Sequence, residues 1–219
     1  MKKKAVTYCV LILFLGALCG FKGLEMKERK LTSTKPPFTL VLPSEFRLIH
    51  SFENEGENSF TRAYLYIKER DKQMEELLIV QIADRTNPQA GPISAPRLRS
   101  YTEERMYLRD KTRKGEVEVD YMIQLMAWNP DASSLQPIVK KGIVVPPHLA
   151  LQGQFQFIYQ KEHAISIRYS KDVNSFGFKV SDEKDHWNRD SISGDEKKAY
   201  EAFKETFMNM MDSIDTKIP

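Results

Sequence analysis

Apolar and polar positions alternate along most of this chain, the two-residue period of half-buried strands. Residues 38–42 form a short apolar run before Pro43, and Phe46, Leu48 and Phe52 open an alternating stretch. The polar run ENEGEN at 53–58 reads as a turn. Residues 60–68 and 77–83 are β-rich and flank a charged turn at 70–75. Residues 116–128 give the clearest strand. Val117, Val119, Tyr121, Ile123, Leu125 and Ala127 share one face, while the other begins with Glu116, Glu118 and Asp120 and turns apolar at Met122, Met126 and Trp128. A strand whose second face changes in this way is expected to be central and covered there, most simply by a helix. Residues 138–145 suggest a further strand before Pro146 and Pro147. Residues 154–160 and 163–170 predict a hairpin, with Phe155, Phe157 and Tyr159 on one face of its first strand and Ile165, Ile167 and Tyr169 on one face of its second.

The helical period occurs twice. Residues 87–96 carry three prolines and a glycine and break regular structure. Ser94 can cap a following helix with Pro96 in its first turn, and Leu98, Tyr101 and Leu108 share a face as far as residue 110. Near the end, Ser193-Gly194-Asp195-Glu196 has the form of a capping box for a helix running to about residue 212. Ala199, Tyr200, Phe203, Phe207, Met210, Met211 and Ile214 form one stripe, read as core, with a methionine-rich partner groove as the alternative. The expected class is α+β: a mostly antiparallel sheet covered by a mid-chain helix and a long C-terminal helix, a layered sandwich.

The N-terminus has another pattern. Lys2, Lys3 and Lys4 precede an uncharged apolar run from Ala5 to Leu18, followed by small residues Gly16, Ala17, Cys19 and Gly20. This is the three-part layout of an export signal, with the lysines retained on the cytoplasmic side. Three fates stay open. Cys19 can be the lipidated residue of a lipoprotein, although Leu18 sits where a small residue is usual. A signal peptidase can cut after Cys19 or Gly20. Or the apolar run stays uncut as an anchor at the short end of the spanning range. The organisation is then an export signal at 1–19, a polar tether at 20–37 ending in Pro36-Pro37, one α+β domain at 38–214, and a tail at 215–219. The expected location is extracytoplasmic, held at the membrane through the N-terminus, with a soluble periplasmic or secreted protein as the alternative.

Charge adds little beyond this. The 219 residues carry 33 lysines and arginines against 30 acidic residues. Removing the three leading lysines brings the two into balance, so nothing argues for nucleic-acid binding. Both cysteines, Cys9 and Cys19, lie in the N-terminal segment, which excludes a disulfide framework or catalytic thiol from the domain. The four histidines show no metal-ligand spacing, and phosphate loops and nucleophile elbows are missing, so no catalytic residue, metal or cofactor is assigned. Two surfaces stand out. Arg97, Arg99, Arg105, Arg109, Lys111, Arg113 and Lys114 crowd the mid-chain segment, as a contact for anionic headgroups or an acidic partner, or as a solubilising face. Residues 182–195 form an acidic loop, solvated or gathering oxygens for calcium, whose Trp187 either anchors the loop to the core or is an exposed contact.

The order of elements resembles the PsbP/Mog1 superfamily. The opening Phe38-Thr39-Leu40-Val41-Leu42-Pro43, a helix from Ala95, strands over 116–170, and a closing helix with Phe203, Phe207, Ser213 and Ile214 carry the resemblance. A tryptophan often follows the opening proline in that family, where this chain has Phe46. The resemblance implies a non-catalytic accessory or partner-binding domain, several such domains being exported or lipid-anchored. The expected function is a membrane-tethered or secreted envelope domain that binds a protein partner or steadies an assembly. A small-ligand or lipid-binding domain is the alternative, and an envelope hydrolase ranks below both.

Overall fold

A computed structural model describes residues 24–94, 98 and 103–216. Seven antiparallel strands form one large sheet: β4 (Arg47–Glu55), β5 (Ser59–Arg70), β6 (Gln73–Arg85), β7 (Met106–Lys114), β8 (Val117–Ala127), β9 (Leu149–Tyr159) and β10 (His163–Asp172). Their order is β4-β5-β6-β10-β9-β8-β7. Three shorter strands, β1 (Leu24–Lys27), β2 (Lys30–Thr34) and β3 (Pro37–Val41), form a separate antiparallel sheet. A four-residue helix α1 (Gln136–Val139) and the long α2 (Gly194–Asp212) complete the regular structure. The α+β class and the covering C-terminal helix are as expected. Among the described residues no helix is long and apolar enough to cross a membrane.

The strand periodicity explains the core. Tyr64, Val80, Ile167, Phe155, Tyr121 and their neighbours point to one face of the large sheet, where α2 lays down Phe203, Phe207, Met210 and Met211. The small sheet packs on the same face through Leu31, Phe38 and Leu40. Phe38 meets Phe157 edge-on at 6.1 Å, and Phe203 stacks on Tyr169 at 5.4 Å. Met210 and Met211 of α2 are therefore core, at 2% and 1% exposure. The β5–β6 hairpin turns in two residues with positive φ, Asp71-Lys72 (51° and 64°), the turn whose twist matches paired strands, and the three-residue turn between β9 and β10 also has positive φ at Gln160 and Lys161 (51° and 60°).

Five expectations are corrected. The stretch expected to be a helix up to residue 110 is instead, over its described part, a single 3-10 turn (Glu103–Arg105) followed by β7. Pairing along β8 from Lys114↔Val117 to Met106↔Gln124 supplies more than local helical preference does, and charges at an edge strand mimic a polar helix face. Residues 24–34 are not a tether: they form β1 and β2, and bury Leu24, Leu31 and Ser33. The fold also runs past residue 214, since Asp215 exchanges two backbone hydrogen bonds with Thr39 at 2.8 and 3.1 Å. Residues 138–145 are no strand. They contribute the end of α1 and one parallel bridge between Val144 and Gln73. Nor is β8 central: it is next to the edge, and among the described residues no long helix covers its second face.

Ser193 sits at the N-cap of α2, but its hydroxyl makes no cap bond. The two acids that follow turn outward instead. Asp195 accepts from the Lys179 amide at 3.1 Å and Glu196 from the Ser181 amide at 2.8 Å, so they bind the preceding loop. Lys198 and that amide hold the Asp195 carboxyl below its usual range. Trp187 is the anchor of this loop. It is fully buried, and its Nε1 donates to the Ser181 carbonyl at 2.8 Å.

Candidate binding cleft

The second face of the large sheet is polar along its middle. Register places Gln81, Ser166, Gln156 and Asp120 in one cross-strand row, and Ser170, Gln152 and Gln124 in another. Gln124, Gln152, Gln156, Ser166 and Ser170 are buried, and neighbours bond one another: Gln124 Nε2 donates to Gln152 Oε1 at 3.0 Å, Gln152 Nε2 to Ser170 Oγ at 3.2 Å, and the buried Gln154 between the rows donates through Nε2 to Ser166 Oγ at 3.2 Å. Satisfied in this way, a polar row costs little and fixes the register. Beside it lies a second, smaller core. Residues 128–148 fold back over the sheet with Trp128, Leu135, Ile138, Ile143 and Val145, against Leu65, Ile67, Met74 and Leu77.

Between this small core and the end of the sheet is a cleft of about 470 Å³, within the range of small-ligand sites. Its apolar wall is made by Leu77, Ile79, Met126, Ala132 and Leu135. Three cations line it: Arg105 from the 3-10 turn, Arg168 from β10, and Lys184 from the loop after β10. None of the three belongs to an ion pair among the described residues, and the lining holds no carboxylate and no histidine. Trp128 also lines the cleft. It is 2% exposed, and its buried Nε1–H has no hydrogen-bond acceptor. The arrangement suits a ligand with an anionic, acceptor-rich head and an apolar body. No base or nucleophile pair is set against it.

The predicted arginine cluster is dispersed. Arg97 and Arg99 lie outside the described residues, as does Cys19. Arg105 lines the cleft. Arg109 and Arg113 are exposed on the second face of the edge strand β7, since alternate residues share a face. Lys114 is on the opposite face, ion-paired to Asp212 of α2. Lys111 bridges Glu118 at 2.8 Å and Asp120 at 3.1 Å. Arg168 escaped the sequence reading because it stands alone within β10, and Lys184 because it was read only as offsetting the acidic charge of the loop at 182–195. Trp128 was read only as a strand residue.

The charged clusters elsewhere hold the fold. Asp84 accepts from Arg62 at 2.6 Å and sits 2.6 Å from His163 Nδ1; Arg62 reaches the Lys35 carbonyl at 3.3 Å, tying the small sheet to the large one. Glu76, 1% exposed, meets Lys68 at 3.0 Å, the Tyr169 hydroxyl at 3.0 Å and Ser44 at 3.2 Å. Among the described residues no three histidines, cysteines or acids gather as a metal site.

No family model matches this chain, and no curated protein matches it at a significant level. One solved structure is similar: the crystal structure of the Saccharomyces cerevisiae Ran-binding protein Mog1p, a name shared with the superfamily that the sequence resembles. It is 8% identical, with a TM-score of 0.39, over 88% of this chain and 96% of that one.

Proposed function

We propose that this is a non-catalytic binding domain that holds a small anionic amphiphile, an alkyl carboxylate or alkyl phosphate, in the cleft on the second sheet face. The observation that carries the reading is the lining itself: three cations with no ion-pair partner among the described residues, set against an aliphatic wall. Cations that lack partners favour an anion more than those already paired, and the aliphatic wall rewards an alkyl body at about 0.8 kcal/mol per buried methylene. The export signal places the domain outside the cytoplasm. If Cys19 carries lipid, residues 20–23 are all that separates it from β1. Four residues reach about 14 Å at most, so the domain would rest at the membrane surface, where amphiphiles concentrate.

Isothermal titration of the protein with dodecanoate, dodecyl phosphate and dodecyltrimethylammonium, all below their micelle concentrations, tests the cleft. Both anions are expected to bind and the cation not to. Arg168→Ala is expected to weaken the anions about tenfold, as loss of a charge-assisted hydrogen bond does. Equal binding of the cation, or no effect at Arg168, sinks the reading. Fatty-acid labelling with a Cys19→Ala control tests the anchor separately.

A further inference from the structure

A second concavity lies on the opposite face of the large sheet, between two sheet edges. β1 is an outer strand of the small sheet and β4 an outer strand of the large one. The open groove between them has a volume of about 800 Å³. Its floor is apolar, made by Leu24 and Met26 of β1 and by Phe46, Leu48 and Tyr66 from the large-sheet side. Consecutive residues of β1 line it, Leu24, Glu25 and Met26, so the strand offers its edge rather than a face. An edge presents unpaired backbone N–H and C=O groups at regular spacing.

The rim has one sign. Glu25, Glu28 and Glu45 are exposed and line the groove; among the described residues none is in an ion pair, and no lysine or arginine lines it. Tyr66 lines the groove with little of its ring exposed, and its hydroxyl makes no hydrogen bond among the described residues, so it is free to bond an occupant.

We propose that this groove is the docking site for an extended basic segment of a partner protein, in which lysines or arginines alternate with aliphatic residues. Strand addition supplies the backbone bonds, and the two-residue period sends apolar side chains to the floor and cations to the glutamates. An anionic membrane surface has the wrong charge for this rim, and the cleft on the second sheet face, with its cations, has the wrong charge for this peptide. The two sites therefore select different ligands.

The test uses the full chain and two fluorescein-labelled eight-residue peptides, one alternating lysine with valine and one alternating glutamate with valine. Fluorescence anisotropy is expected to show binding of the lysine peptide alone, weakening as salt rises. The combined variant Glu25→Lys, Glu28→Lys, Glu45→Lys changes exposed residues only. It is expected to weaken the lysine peptide at least about tenfold, while dodecanoate binding is unchanged. Tyr66→Phe is expected to weaken it about fivefold, the worth of one hydrogen bond. Equal binding of both peptides, or indifference to the charge reversal, overturns the proposal. So does a concentration-dependent dimer of the protein that the same triple variant abolishes, since the groove then belongs to a second copy of the chain.

Discussion

Gly153 lies on β9 beneath α2, and a methyl group built there would overlap the Phe207 ring. The side chain is missing because the ring occupies its place, which lets the helix settle close to the sheet. Gly153→Ala is therefore expected to destabilise the fold by about 1–3 kcal/mol, the usual cost of overpacking, read as a lower midpoint in urea unfolding. A variant as stable as the parent would mean that α2 can lift at no cost. The sequence marked the residues on both sides of this contact, Phe155 by alternation and Phe207 by helical spacing. It gave no sign that they converge on a glycine, because register across three strands is not a local property. The same limit explains the cleft. Arg105, Arg168 and Lys184 come from a turn, a strand and a loop, and only the order of the strands brings them together.

The long C-terminal helix was legible because its apolar stripe repeats over five turns with a polar opposite face. The supposed mid-chain helix was not, since a charged edge strand and a solvated helix face have the same composition. What separates them is the partner strand β8, and pairing is read from neither charge nor propensity. The junction of these two elements is tyrosine-rich. Tyr107 of β7 and Tyr200 of α2 sit with rings 4.7 Å apart, and the Tyr107 hydroxyl donates to the Trp187 carbonyl at 2.7 Å. Burial pushes the Tyr200 phenol from 10.0 up to about 12 and raises that of Tyr107 further. A phenol raised in the folded state contributes stability that is complete below the unfolded value and is lost as pH rises through the folded one. Urea midpoints are thus expected to fall between pH 10 and 12, and Tyr200→Phe should reduce that fall. An unaltered alkaline slope in Tyr200→Phe would remove Tyr200 from the explanation.

At the scale of the molecule, the large sheet consists of two consecutive meanders, β4-β5-β6 and β7-β8-β9-β10, joined only where β6 pairs with β10. Between β6 and β7 the chain must travel from the middle of the sheet to its far edge, and no ladder hydrogen bond depends on that journey being continuous. Within the large sheet the two meanders share this one seam, with residues 128–148 and Asp215 adding contacts between the halves outside it, so covalent continuity between β6 and β7 is expected to be dispensable. A fragment ending at Pro92 and a second beginning at Ile93 are expected to reassemble when co-expressed, restoring the far-ultraviolet spectrum and the dodecanoate binding of the intact chain. Fragments that stay apart would show that the crossing segment, rather than the seam, holds the halves in register. Reassembly would make the domain a natural split reporter, with each half silent until its counterpart supplies the missing neighbour strand.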